Sequence, residues 1–408
     1  MSASFCRLGV AASLLCLAAA PLSAQVSPAA PARLDSAPDP IATMVGRLDL
    51  EKYKATIKGL TRFGDRRQGT DRNRAAIDWI EAQLRSYGCT PTERITYDFQ
   101  PPAPRAAGSA PAGPRPVTTA AQGGGRLRGN RMPTGVNNDS LRQPDAALRA
   151  LNRQPSAPGE RQEVYCTKVG TTHPDEMYIV GGHMDGIGWG EAANDDGSGT
   201  ALVMELARVF SAPDVQTDRS IRFILWNNEE SGLNGARAYV EQRQALQGKE
   251  QPVGSGKYPE PRWLGMVQHD MMLFDHGMPR ADATMSKEQR PEADVNIEFQ
   301  SNSKRAADSQ KLAWYFANAN EKYATDYPAV VGQHMTNTDS APFQDLVPSI
   351  SLRENERGAQ VGAGWDPQWH QPTDLFSTYS DKDFRLGLNA AQTTLSAIAN
   401  LTGARLTR

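Results

Sequence analysis

Several things are scarce or missing in this 408-residue chain, and each absence removes a class of protein. Only four cysteines are present, and two of them, Cys6 and Cys16, fall in an apolar N-terminal stretch. No His-Glu-x-x-His stretch occurs, so a single-zinc protease site carried on one helix has no support. Beyond the N-terminus no run is long and apolar enough for a membrane helix. Charge of one sign is lacking too. The formal net charge is −2, and becomes −3 if the N-terminal stretch with its single Arg7 is removed, so nothing argues for nucleic acid or membrane partners. There is no internal repeat, and no obligate protein partner is inferred.

The N-terminus reads as an export signal. One positive charge precedes Leu8 to Pro21, which is apolar but too short to span a bilayer, and Leu22-Ser-Ala24 has the small residues of a cleavage site. Residues 1–24 are therefore expected to be a secretory signal peptide, with the mature protein periplasmic or secreted. Leu15, just before Cys16, argues against a lipoprotein signal. Residues 25–45, rich in Pro and Ala, read as a flexible leader. The remainder, 46–408, reads as a single domain interrupted at 101–160 by an insertion that holds ten of the 28 prolines and eight arginines against three acids. Such composition predicts a long exposed excursion.

Helices are expected near 48–62, 75–87, 198–211, 233–246, 310–323 and 381–401; in the second, Ile77, Ile80 and Leu84 recur at helical spacing and predict core packing. Apolar runs at 90–99, 162–169, 176–181, 220–226 and 263–269 predict strands, while 248–262 and 276–294 read as loops. Strands alternating with helices imply an α/β fold of three layers, α/β/α, around a mainly parallel mixed sheet.

Chemistry gathers where those strands stop. His183, Asp195, Glu230, Asp270 and His370 each follow an apolar run or a tight turn, and three of them follow strand-like runs directly, where an open α/β sheet collects its functional groups. Each has an ordinary reading alone: Asn194-Asp-Asp-Gly-Ser-Gly199 is a turn and helix cap, and Glu229-Glu230 a solvated pair. Together they form a plausible two-metal ligand set of two imidazoles and three carboxylates, which suits zinc first, with manganese or cobalt tolerated. Two metals about 3.5 to 4 Å apart can share and acidify a water, and a neighbouring carboxylate can shuttle its proton. His269 and His334 stay outside the set. Asp185, two residues beyond His183 and on the same side of an extended chain, can accept from the imidazole nitrogen that does not bind metal.

In order and spelling these motifs resemble the M28 peptidase family, the co-catalytic zinc aminopeptidases. The likeness runs through Gln68-Gly-Thr70, Gly182-His-Met-Asp185, Asn194-Asp-Asp-Gly-Ser-Gly199, Asn228-Glu-Glu-Ser-Gly-Leu233, His269-Asp-Met271, Thr338-Asp-Ser-Ala-Pro-Phe343 and His370-Gln-Pro-Thr-Asp374. It implies a zinc-exopeptidase-like fold and two Zn2+, one held by His183 and Asp270, the other by Glu230 and His370, with Asp195 bridging. It further implies Glu229 as general base and acid, Asp185 as the orienter of His183, and a cis bond from Asp195 to Asp196. The substrate would be a peptide or protein. Where many relatives carry a tyrosine just before the last histidine this chain has Trp369, so the oxyanion donor would be Trp369 or Arg353. If the first two strands are antiparallel, as in the family, Cys89 and Cys166 are expected to pair. The resemblance implies an aminopeptidase; a carboxypeptidase, a glutaminyl cyclase and a non-catalytic receptor-like domain of the same fold are the alternatives.

Overall fold

The apolar runs ahead of His183, Asn227 and Asp270 become neighbouring strands of one mixed sheet. The computed structural model describes residues 39–101, 136–275, 295–335, 337–354 and 366–407. The expected signal peptide, the leader up to residue 38, most of the insertion and the 276–294 loop lie outside them. The strands are β1 (Thr92–Phe99), β2 (Gly159–Lys168), β3 (His173–His183), β4 (Val215–Gln216), β5 (Arg219–Trp226), β6 (Arg262–His269), β7 (Val295–Glu298), β8 (Ala329–Gly332), β9 (Ser349–Arg353) and β10 (Arg405–Leu406). Eight form the sheet in the order β1-β2-β5-β3-β6-β9-β7-β8, and β4 pairs with β10 apart from it. The central neighbours β5, β3, β6 and β9 run parallel, whereas β1–β2, β2–β5 and β7–β9 are antiparallel. The expected mainly parallel mixed sheet is therefore present.

The helices are α1 (Pro40–Val45), α2 (Leu50–Thr61), α3 (Asp71–Ser86), α4 (Ala146–Asn152), α5 (Gly197–Phe210), α6 (Asn234–Arg243), α7 (Ala306–Tyr323) and α8 (Asp381–Thr402). They divide unequally between the faces. One face packs against a large apolar core with side chains from α2, α3, α5, α7 and α8. The other carries α6 over a smaller cluster in which Trp226, Tyr239, Trp263 and Phe343 interlock. Helix α5 runs between the sheet and its neighbours and is buried nearly all round, which explains its apolar sequence. It can lie so close because of Gly182: a Cβ there would stand 2.8 Å from the carbonyl carbon of Gly199.

Three observations depart from the expectations. The last residues of the supposed leader form α1, capped by Asp39 ahead of Pro40. Strands β7, β8 and β9 were not anticipated. The described end of the insertion is not an exposed excursion throughout: residues 136–158 form a 3-10 turn, Ser140–Arg142, and α4, with Asn137, Gln143 and Asn152 buried. Strands β1 and β2 pair in antiparallel register with Thr92 opposite Cys166, and Cys89 and Cys166 are joined by a disulfide.

Candidate functional site

The parallel strands deliver their C-terminal ends to one rim. β3 ends at His183, β6 stops one residue short of Asp270, and Glu229 and Glu230 follow β5 within a turn. Asp195 comes from the loop ahead of α5, and His370 from the segment before α8. Asp195 stands between the imidazoles: Oδ1 is 3.3 Å from Nε2 of His183, and Oδ2 is 2.9 Å from Nε2 of His370. Glu230 Oε2 lies 2.9 Å from that same His370 nitrogen, and Asp270 Oδ1 lies 3.9 Å from His183 Nε2. All five side chains singled out from the sequence meet here.

Donor atoms of His183, Glu229 and Asp270 lie within 4.8 Å of one another, and so do those of His183, Asp195 and Glu230. These groupings cross the pairing implied by the resemblance, because Glu229 joins the first and His183 the second. The 2.9 Å approach of Glu230 to His370 is the tighter contact and agrees with that pairing. Four buried carboxylates face two imidazoles, an excess of negative charge that divalent cations offset. Glu230 Oε1 is moreover buried with no hydrogen-bond partner. A hard-to-intermediate dication with nitrogen and oxygen ligands fits this set.

Charge and burial pull the groups in opposite directions. Burial works against protonation of His183, but the charge of Glu229 and hydrogen bonds to Asp195 and Asp270 push it well above its usual value. Burial raises the Glu229 carboxyl well above the carboxylate range, with His183 opposing and Glu230 adding. Burial likewise lifts Glu230 to about 7. For Asp270 burial pushes upward, but the charge of Arg353 and the hydrogen bond and charge of His183 together outweigh it and bring the carboxyl down to about 2.

The supporting contacts differ in part from those expected. His183 Nδ1 meets the backbone carbonyl of Asp185 at 2.9 Å, whereas the Asp185 carboxylate is 3.9 Å away. That carboxylate instead accepts the backbone N–H of Glu229 at 3.0 Å. Arg353, weighed as an oxyanion donor, gives Nη2 to Asp270 Oδ2 at 2.6 Å. Trp369 lies flat on His370, with ring centroids 4.0 Å apart. Both line the cleft together with Met271 and Asn337. His269 points away into the core, its ring between Gly181 O and Thr394 Oγ1, and His334 belongs to an isolated bridge with Gln300. The peptide bond from Asp195 to Asp196 is cis.

Some organising residues escaped the sequence reading. Asp196, read there as part of a turn and cap, collects the N–H groups of His183, Gly199 and Met271 on one carboxylate, so it ties β3, α5 and the turn after β6 together. Asp374 accepts from the N–H groups of Asn194 (2.8 Å) and Asp195 (3.1 Å). The only advance sign of either was its place in a motif. A larger hollow of about 400 Å³ runs along α7 beside Trp314 and Tyr327. It includes none of the five clustered donors, so size does not locate the chemistry here.

Known proteins resemble this chain in sequence and in fold. The family model for Peptidase family M28 matches residues 163–393. Aminopeptidase YwaD of Bacillus subtilis (strain 168) is 44% identical over 69 residues, which is 17% of this chain and 14% of that protein. Carboxypeptidase Q of Xenopus laevis is 36% identical over 73 residues, 18% of this chain and 16% of that protein. The matched stretches thus span about a sixth or less of these curated relatives. Among solved structures, the aminopeptidase from Aneurinibacillus sp. strain AM-1 superposes with a TM-score of 0.57 at 21% identity, covering 90% of this chain and 97% of that one.

Proposed function

The chain belongs to peptidase family M28, and from that membership we propose that it is an exported two-zinc aminopeptidase, releasing residues from the free N-terminus of a peptide. His183 and Asp270 would hold one zinc, Glu230 and His370 the other, with Asp195 shared. Bound there, zinc supplies Lewis acidity toward the scissile carbonyl and toward a water. Glu229 takes the proton of the attacking water on its carboxylate and returns it to the leaving amine. Asp185 fixes the backbone of Glu229 for that task through the bond at 3.0 Å. The observation that carries the reading is the division of Asp195, one oxygen toward each histidine.

The side chains of the cleft favour the amino end of a substrate over the carboxyl end. The cleft is lined by Asp195, Glu229, Glu230 and Asp270, and its arginine, Arg353, is already tied to Asp270. No other lysine or arginine lines that cleft among the described residues, so a substrate's terminal carboxylate meets no free cationic side chain there. Export rests on the N-terminal sequence, supported by the Cys89–Cys166 disulfide, which suits an oxidising compartment. None of the helices among the described residues is long and apolar enough to cross a membrane.

Zinc content of the purified protein, measured beside chelator-reversible hydrolysis of aminoacyl p-nitroanilides, tests the proposal. Two zincs per chain, with activity that returns on adding zinc, is the expected result. Two zincs without hydrolysis would point to carboxypeptidase or cyclase chemistry. No zinc bound, and none taken up on titration, would favour a non-catalytic binding domain.

A further inference from the structure

The loop joining His183 to Asp195 has no strand or helix between Met184 and Ala192, yet most of its residues are buried and its carbonyls need donors. Five successive ones are taken by side chains from elsewhere. Asn137 Nδ2 donates to Gly188 O at 3.4 Å, Gln143 Nε2 to Trp189 O at 2.8 Å, and Asn152 Nδ2 to Gly190 O at 2.8 Å. Arg66 continues the series, giving Nη1 to Glu191 O at 2.8 Å and Nη2 to Ala192 O at 2.7 Å. Three of these four residues belong to the described end of the insertion, and none of the four is more than 5% exposed.

The same segment grips the turn that carries His370. The N–H of Asn137 donates to His370 O at 3.0 Å, and the second hydrogen of Gln143 Nε2 goes to Pro372 O at 2.9 Å. A metal-binding imidazole is usually aimed by a partner on its other ring nitrogen. Nδ1 of His370 is buried and has no hydrogen-bond partner, so that ring is aimed by its backbone and by Trp369. Neutral carboxamides suit the task, since they satisfy carbonyls without adding charge beside a cluster of acids.

We infer that residues 136–152 are a strap built into the metal centre, in which Asn137, Gln143 and Asn152 position the loops bearing Asp195 and His370. The strap lies outside the stretch matched by the family model, residues 163–393. The inference rests on the zinc reading above, and the three amides are positioning residues.

The test measures zinc bound per chain against graded chelator for the whole mature protein, for Gln143→Glu and Asn152→Asp, and for the exposed control Leu141→Ser. Each acid is close in shape to its amide but faces a carbonyl with an acceptor in place of a donor. The strap variants should lose about 10- to 100-fold in zinc affinity, as loss of a ligand's supporting partner does, while the control keeps wild-type affinity. A second measurement needs no variant. Coupling is reciprocal, so zinc added to the metal-free wild-type protein should slow hydrogen exchange in 137–152 together with 186–192. Folded variants with unchanged zinc affinity, or strap amides indifferent to zinc, would overturn the inference while leaving the zinc reading intact. A wild-type chain that binds no zinc overturns both.

Discussion

Glu229→Gln is the most informative single change in the cleft, because the structure offers Glu229 two roles. Its donor oxygen lies within 4.8 Å of those of His183 and Asp270, as a ligand's would, while its backbone N–H is held by Asp185. Glutamine keeps the shape and that backbone bond, and it removes only the ability to take a proton. If Glu229 is the general base, the loss should be about 10³-fold in kcat, the middle of the range for such groups, or about 4 kcal/mol of barrier. Zinc content should stay at the wild-type value, because the five other donors are untouched. The assay is kcat on a saturating aminoacyl p-nitroanilide with zinc determined on the same sample. Unchanged turnover refutes the reasoning. A fall in turnover that tracks a loss of zinc refutes it equally, since Glu229 would then be a ligand.

Other outcomes follow from the same geometry. Arg353→Met strips Asp270 of the guanidinium 2.6 Å away and should weaken zinc binding by about 10- to 100-fold, which chelator competition reads directly. Gly188→Ala puts a Cβ 2.3 Å from the His370 carbonyl carbon at a φ of +101°; a loss of at least about 2 kcal/mol in denaturant unfolding is expected, and full stability would show that the two loops part easily. Cys89→Ala with Cys166→Ala opens a loop of sequence separation 77 that is worth about 4.5 kcal/mol on the chain-entropy account. For a domain of about 300 ordered residues that is a fall of about 7 °C in Tm, and two reactive thiols in unreduced, denatured wild type would remove the premise. Free zinc at about 100 times its Kd should stabilise the protein by about 2.7 kcal/mol, a rise of about 4 °C in the same melt.

What could be read from the sequence was what depends on local order. The runs before His183 and Asp270 are apolar for long enough to declare buried strands, and each stops at a glycine or an acid, so their ends and their chemistry were visible together. Strands β7, β8 and β9 have four or five residues and give periodicity too little length. Helix α1 carries a signal in the sequence, since Asp39 followed by Pro40 is a cap and first turn, but the Pro/Ala bias around it masks that signal. The strap amides could not have been found. Gln143 and Asn152 bind carbonyls 46 and 38 positions away, and a backbone carbonyl carries no mark of its residue type. The same limit applies to Asp196, whose turn-like surroundings disguise the three N–H groups it gathers.

The disulfide has a further consequence for the chain as a covalent object. Cys89 and Cys166 lie on either side of the whole insertion. A protease that nicks anywhere between residues 90 and 165 therefore leaves two polypeptides joined through sulfur. Under non-reducing conditions such a molecule migrates as one species, heavier only by the water added at the cut, and reduction by a thiol separates the two pieces. The part of the sequence with the least regular composition is thus also the part where a break in the main chain costs the molecule no atoms.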